Sequence, residues 1–186
     1  MPAVPGRHLT LAQKAIVGFD EAIDRRVDRL RGHRGLDRLM YGASELGGWS
    51  LIWHLIGAGQ GLMPGRDPLG AVRVSAVLGL ESLLVNGAIK SAFRRHRPVW
   101  EVDRPRPHRV RTPVSSSFPS GHSSAAFTAA GILGQDDPRW PIYYGIAAVV
   151  ASSRVYVKMH HASDVLAGAA LGVGLAAVVR RAWPRP

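Results

Sequence analysis

The sequence predicts an all-α fold: a multi-pass transmembrane bundle of about five helices, preceded by an amphipathic helix lying in the membrane interface. Three observations carry that prediction. Charge is strongly segregated along the chain, small residues recur at helical spacing inside apolar segments, and one N-terminal stretch shows the three-and-four periodicity of a half-buried helix. The 186 residues have room for one such domain, read as an N-terminal interfacial segment over residues 1–45 and a helical domain over residues 46–183.

The apolar segments come first. Residues 46–63 carry no formal charge, residues 69–89 carry only Arg73 and Glu81, residues 123–135 and 140–153 are uncharged, and residues 165–179 are wholly apolar or glycine. A helix needs about 20 residues, within roughly 17–25, to cross a bilayer. Three of the five segments lie in or near that range, and the two shorter ones approach it with their polar ends. None shows the polar stripe of period 3.6 that marks a half-exposed soluble helix. Five helices apolar all round in a soluble protein would demand a larger polar shell than this chain supplies. Gly168 and Gly172 form a G-x-x-x-G, and Ala125, Ala126, Ala129 and Ala130 repeat along another segment. Small residues permit the close backbone approach that drives helix association in lipid.

The N-terminus differs in kind. Residues 1–9 lack the apolar core of a secretory signal. Thr10 and Gln13 then have capping-box spacing, and Ile16, Phe19, Ile23, Val27 and Leu30 follow at steps of three and four. The opposite face carries Asp20, Glu21, Asp24, Arg25, Asp28 and Arg29, the pattern of a helix lying in the membrane interface or packed across the bundle mouth. Gly32 and Gly35 are expected to end it.

There are 24 Lys and Arg against 13 Asp and Glu, a net charge of +11, and only Lys14, Lys90 and Lys158 of the basic residues are lysine. Such a surplus predicts anionic partners: nucleic acid, anionic lipid or phosphorylated substrate. The arginines flank apolar segments rather than lining a soluble face, which points away from nucleic acid and towards membrane lipids and phosphates. With no cysteine, disulfides, thiolate nucleophiles and thiolate-bound metals are excluded.

Three polar groups stand at the ends of apolar segments. The first runs from Lys90 to Arg97 and Pro98. The second is Pro119-Ser120-Gly121-His122. The third is Ser153-Arg154, then His160 and Asp164. Lys90 and Arg97 offer a point charge and a planar fork, both suited to phosphoryl oxygens. Ser120 and Gly121 precede a helix whose first N–H groups are unpaired, a favourable anion site. His160 and Asp164, four apart, share a helical face if that turn is helical, where a carboxylate can hold one imidazole nitrogen and leave the other as base or nucleophile. Arg154 adds a third cation. If the spans alternate, all three groups meet at one membrane surface. Residues 99–118, rich in Pro, Arg and Ser, join two of these clusters and are read as a functional loop.

Lys-x6-Arg-Pro, Pro-Ser-Gly-His and Ser-Arg-x5-His-x3-Asp, in that order over residues 90–164, resemble the three signature motifs of the type 2 phosphatidic acid phosphatase (PAP2) superfamily. The resemblance implies a helical-bundle core and a two-step phosphoryl transfer that needs neither metal nor cofactor. It makes His160 the nucleophile, forming a phosphohistidine, with Asp164 orienting it. His122 protonates the leaving oxygen and then activates water, while Lys90, Arg97, Ser120, Gly121 and Arg154 bind the phosphoryl oxygens. His161 is a competitor that the motif passes over.

The apolar setting implies an amphiphilic lipid phosphate. The layout is similar to that of small actinobacterial members of the superfamily, which ranks a polyprenyl-linked phosphate or diphosphate first and phosphatidate or phosphatidylglycerophosphate second. A vanadate-dependent haloperoxidase and a non-enzymatic basic membrane protein are the rivals from other classes. Arg25, Arg26, Arg29, Arg31, Arg34 and Arg38 on the site face outnumber Arg66, Arg139, Arg180, Arg181 and Arg185 on the other, so the site is expected at the cytoplasmic side of the plasma membrane. Mid-span, Glu81 is either functional, with His54 as its candidate partner, or part of a satisfied inter-helix hydrogen bond. Arg104, Arg106, Arg109 and Arg111 are candidates for binding the substrate headgroup or simply anionic lipid.

Overall fold

The computed structural model describes residues 10–64, 68–99 and 115–184. Helices dominate, and no strand occurs among the described residues. α1 (Leu11–Asp28) and α2 (Arg34–Leu46) precede a short 3-10 turn; α3 (Leu51–Gly61), α4 (Leu69–Ser82), α5 (Gly121–Leu133), α6 (Trp140–Tyr156) and α7 (Ala162–Ala182) follow. Every predicted apolar segment is helical. Among the described residues, two helices are long and apolar enough to cross a membrane: α4 with its continuation to Ile89, and α7. α3, α5 and α6 have 11, 13 and 17 residues.

α5 is the axis of the bundle. Its residues from Gly121 to Leu133 are buried almost without exception, and α4, α6 and α7 pack around it. Small side chains make this possible. A Cβ at Gly168 would collide with the Ser120 carbonyl oxygen and one at Gly172 with that of Ser124, so the G-x-x-x-G brings α7 directly onto the backbone of α5. Thr128 Oγ1 also donates to the Gly172 carbonyl at 3.2 Å. Large apolar side chains line the outside instead: Leu80 and Leu83 on α4, Leu166 and Val178 on α7. Trp49, 99% exposed, stands at the turn before α3, while Trp140 and Trp183 are exposed at the opposite end. A surface of aliphatic side chains with tryptophans at both ends is that of a bundle facing lipid.

α4 ends in a π-helical stretch, Leu83–Ile89. Its buried positions Arg73, Val77, Glu81 and Val85 fall four apart, and the next, Lys90, falls five further on. The wide turn absorbs the extra residue and keeps Lys90 on the inward face.

α1 departs from the expected orientation. Its capping box forms, with the Thr10 N–H donating to Gln13 Oε1 at 2.9 Å and the Gln13 N–H to Thr10 Oγ1 at 3.2 Å. Ile23 and Val27 pack on the bundle as expected. Asp20, placed by periodicity on the outer polar face, is instead 5% exposed and turned inward, while Ile16 and Phe19 are exposed. Buried donors on the bundle explain the reversal, since Arg95 and Ser163 bind Asp20 and Lys158 binds Asp24. Gly32, at φ +92°, makes the turn after α1, whereas Gly35 lies inside α2.

Candidate active site

Lys90, at the end of the π turn, is buried and donates to Asn86 Oδ1 at 2.8 Å. The Asn86 amide also fills the space where a Cβ of Gly121 would stand, 2.5 Å away, so only glycine lets α4 and the start of α5 approach so closely. Ser120 caps α5, accepting from the Ser123 N–H at 3.4 Å, and its own N–H donates to the Asp164 carbonyl at 3.0 Å. The second and third motifs therefore touch through their backbones.

The third motif begins on the last turn of α6. The Arg154 carbonyl accepts from the N–H groups of both Met159 and His160, at 3.0 and 3.1 Å. Between them the chain reverses at Lys158, whose φ is +53°, a left-handed conformation costing about 1–3 kcal/mol for a residue with a side chain. The bond from Lys158 Nζ to Asp24 at 3.2 Å ties this reversal to α1. The Arg154 guanidinium is buried and donates to Ser44 Oγ of α2.

His160 is only 2% exposed. Its Nδ1 lies 2.6 Å from the Ser117 carbonyl, an oxygen that accepts but cannot donate, so Nδ1 carries the proton and Nε2 keeps its lone pair. Nε2 is 3.3 Å from Arg97 Nη1, which also donates to the Met159 carbonyl at 2.7 Å. Asp164 was expected to hold His160 directly. Its Oδ2 is 3.8 Å from Nδ1, beyond a hydrogen bond, because the carboxylate is drawn to Arg95 Nη1 at 2.5 Å and to the His161 N–H at 2.9 Å. The His161 ring turns to the His96 carbonyl at 3.2 Å.

Burial pushes His160 down to about 4, with Arg154 and Arg97 acting in the same direction and the Asp164 carboxylate opposing. Burial likewise brings Lys90 down to about 8, helped by the neighbouring charges of Arg97 and Arg154. At neutral pH the imidazole is uncharged and the ammonium still charged. Burial, and after it the charges of Arg154, His160, Lys90 and Arg97, hold His122, in the first turn of α5, well below the ordinary imidazole range. Lys90, Arg97, Ser120, Gly121, His122, Arg154, His160 and Asp164 are thus all brought to one end of the bundle.

Three buried or half-buried cations, a neutral imidazole and a helix N-terminus stand together here, groups whose chemistry suits a phosphate. Against known families, residues 70–186 match the PAP2 superfamily. The chain belongs to that superfamily. Among curated relatives, it is 31% identical to phosphatidylglycerophosphatase B of Bacillus subtilis over 179 residues, covering 89% of this chain and 84% of the relative. It is 36% identical over 92 residues to decaprenylphosphoryl-5-phosphoribose phosphatase of Mycobacterium tuberculosis, about half the length of each. A crystal structure of the transmembrane PAP2-type phosphatidylglycerolphosphate phosphatase from Bacillus subtilis superposes with a TM-score of 0.67 at 30% identity, covering 94% of this chain and 87% of the other.

Other residues near the site were not singled out in the sequence. Asn86, Arg95, Ser117 and Ser44 each hold a motif residue, and Asp20 holds Arg95. Arg95 stood among four basic residues within 94–97 with nothing to distinguish it, and Ser117 contributes only a backbone oxygen. The proposed partnership of His54 with Glu81 does not form: His54 Nδ1 meets Ser75 Oγ at 2.9 Å, and Glu81 is buried on the α4 face beneath Lys90. Arg104, Arg106, Arg109 and Arg111 lie outside the described residues.

Proposed function

We propose that this protein is a membrane phosphatase that hydrolyses a lipid phosphate monoester or diphosphate, polyprenyl-linked first, through a phosphohistidine on His160. One observation carries the reading. The Nε2 lone pair of a buried imidazole, its tautomer set from behind by Ser117, lies 3.3 Å from the guanidinium of Arg97. A fixed cation that holds a phosphoryl oxygen also holds the phosphorus within reach of that nitrogen.

Lys90, Arg97 and Arg154 take the phosphoryl oxygens, joined by first-turn N–H groups of α5, which Ser120 and Gly121 position. The buried Nε of Arg154, without a partner among the described residues, is a donor left for such an oxygen. His160 Nε2 attacks phosphorus, the P–O bond to the lipid breaks, and His122 gives the leaving oxygen its proton. The phosphorylated ring keeps Nδ1–H and becomes cationic, a charge that Asp164 offsets. His122, now a base, takes a proton from water as the water oxygen attacks phosphorus. The P–N bond breaks, inorganic phosphate departs and His160 is neutral again.

An amphiphilic substrate suits the surroundings. An apolar groove of about 630 Å³ between α2, α3 and α6 is lined by Ala43, Leu46, Ile52, Ile146 and Val150. A Cβ on Gly47 would contact both Val150 of this groove and the His122 ring. The hydrocarbon therefore has an apolar path that starts beside the leaving-group acid. The excess of arginine over residues 25–38 supports a site on the cytoplasmic side of the plasma membrane. Phosphatidylglycerophosphate is the second reading, favoured by the likeness to phosphatidylglycerophosphatase B along most of the chain.

The test is phosphate release by purified protein in detergent with EDTA present, comparing a polyprenyl diphosphate, a polyprenyl-phosphoribose phosphate, phosphatidate and phosphatidylglycerophosphate. Release from one of the polyprenyl lipids above the other two supports the first reading. Release from none of the four defeats it.

A further inference from the structure

Arg95 joins two carboxylates that come from opposite ends of the chain. Its Nη2 donates to Asp20 Oδ2 of α1 at 2.6 Å, and its Nη1 to Asp164 Oδ1 of α7 at 2.5 Å and to Ser163 Oγ at 2.7 Å. Asp20 is itself fixed, accepting from the Ser163 N–H and hydroxyl, both at 2.8 Å. Five bonds thus join α1, Arg95 and the first turn of α7. The main chain of Arg95 serves the same site a second time: its carbonyl accepts from the Ser117 N–H at 2.9 Å, and the Ser117 carbonyl receives His160 Nδ1. Both groups behind the His160 ring, the Ser117 oxygen and the Asp164 carboxylate, are therefore held by one residue. That residue keeps its place through a carboxylate outside the stretch matched to the superfamily.

We propose that Asp20 is a positioning residue of this active site, acting through Arg95 to fix the Asp164 carboxylate and the His160 ring. The inference rests on the phosphohistidine reading above. Paired only with Asp164, the Arg95 cation would be drawn wholly onto that carboxylate and weaken its field at Nδ1. Shared with Asp20, it is balanced between two anions and aimed by a two-pronged bond that a planar guanidinium makes well. Asp164 then stays anionic and stationary while the ring charges. Such support acts on the transition state and not on substrate affinity, because the cations that bind phosphate are elsewhere.

The experiment compares phosphate release by the full-length wild type, Asp20→Asn, Asp20→Glu and Asp24→Asn in detergent, with melting temperatures measured alongside. Asp20→Asn should lower kcat about tenfold to a hundredfold, the usual cost of losing a group that fixes a functional histidine's partner, with KM within about twofold. Asp20→Glu should restore part of kcat, because it returns the anion. Asp24→Asn breaks the bonds of α1 to Lys158 and Arg31 without touching Arg95, and its kcat should stay near wild type. Wild-type kcat in a folded Asp20→Asn protein overturns the inference, and so does an equal fall in Asp24→Asn, which would reduce α1 to a packing element. If Asp20→Asn does not fold, Arg95→Lys decides: it keeps the charge, loses the fork, and should lower kcat with KM retained. A wild type that releases no phosphate from any lipid overturns the parent reading and this inference together.

Discussion

His160 Nδ1 donates to the Ser117 carbonyl across 2.6 Å, and that bond determines which nitrogen of the ring faces Arg97. The imidazole cannot change tautomer without turning a lone pair towards a carbonyl oxygen, a repulsive contact in a buried site. Nucleophilicity at Nε2 is thus built into the loop that carries Ser117.

His160→Ala should abolish turnover, and His122→Ala should lower it by about 10²–10⁴-fold. His161→Ala, whose ring meets the His96 carbonyl, should keep most of it. Brief mixing of the wild type with radiolabelled lipid phosphate should trap an acid-labile phosphoprotein, and His160→Ala should not form one. An essential His161 would show the third motif to be misaligned.

The dependence of kcat/KM on pH follows from three groups. His160 attacks only when neutral, so its limb rises with pH through about 4. His122 donates only when protonated, and burial and its cationic neighbours hold it well below the ordinary imidazole range, so activity should begin to fall before neutral pH is reached. Lys90 binds only when charged, so a further loss should follow as pH rises through about 8. Lys90→Arg should retain measurable activity and remove that last loss, because guanidinium stays protonated.

Blocking the groove should separate lipids from soluble esters. Gly47→Leu would push into Val150 and His122, and Ile146→Trp would fill the groove without reaching the site. Ile146→Trp should lower hydrolysis of long-chain lipid phosphates at least tenfold and leave p-nitrophenyl phosphate hydrolysis within twofold. Equal loss on both substrates would remove the groove from the account.

The sidedness of the site is open to direct labelling because the chain has no cysteine. Ser91→Cys, exposed next to Lys90, should stay unlabelled by an impermeant thiol reagent in intact cells. Pro138→Cys, exposed between α5 and α6 at the other end, should label. The reverse pattern would put the site outside.

Gly172→Leu should destabilise the bundle by about 1–3 kcal/mol, read as a lower melting temperature in detergent. The added side chain would meet the backbone of α5, which cannot rotate aside.

Much of the site was legible because its residues stand at fixed spacings in short motifs, and spacing survives folding. The apolar segments were legible for the same reason, being local. What escaped was non-local. Asp20 looked like one of several outward acids on α1, since periodicity identifies a face but not its direction, and its partner Arg95 lies 75 residues away. Ser117 was invisible because it acts through a carbonyl that every residue has. Asp164 was read four residues from His160 as its direct partner, yet Arg95 outbids the imidazole for the carboxylate. His54 and Glu81 were paired only as two polar groups among apolar ones, and Ser75 proved nearer.

The π turn before Lys90 has a consequence for chain length. Between Val85 and Lys90 the protein carries one residue more than a regular helix would need to return the ammonium to the same side. That surplus is slack. Excising Ala88, which is exposed, would let the segment tighten into an ordinary helix with the lysine still facing inward, whereas adding a residue there would swing it about 100° towards the lipid. Natural variation at this point of the chain should therefore run to shortening and not to lengthening.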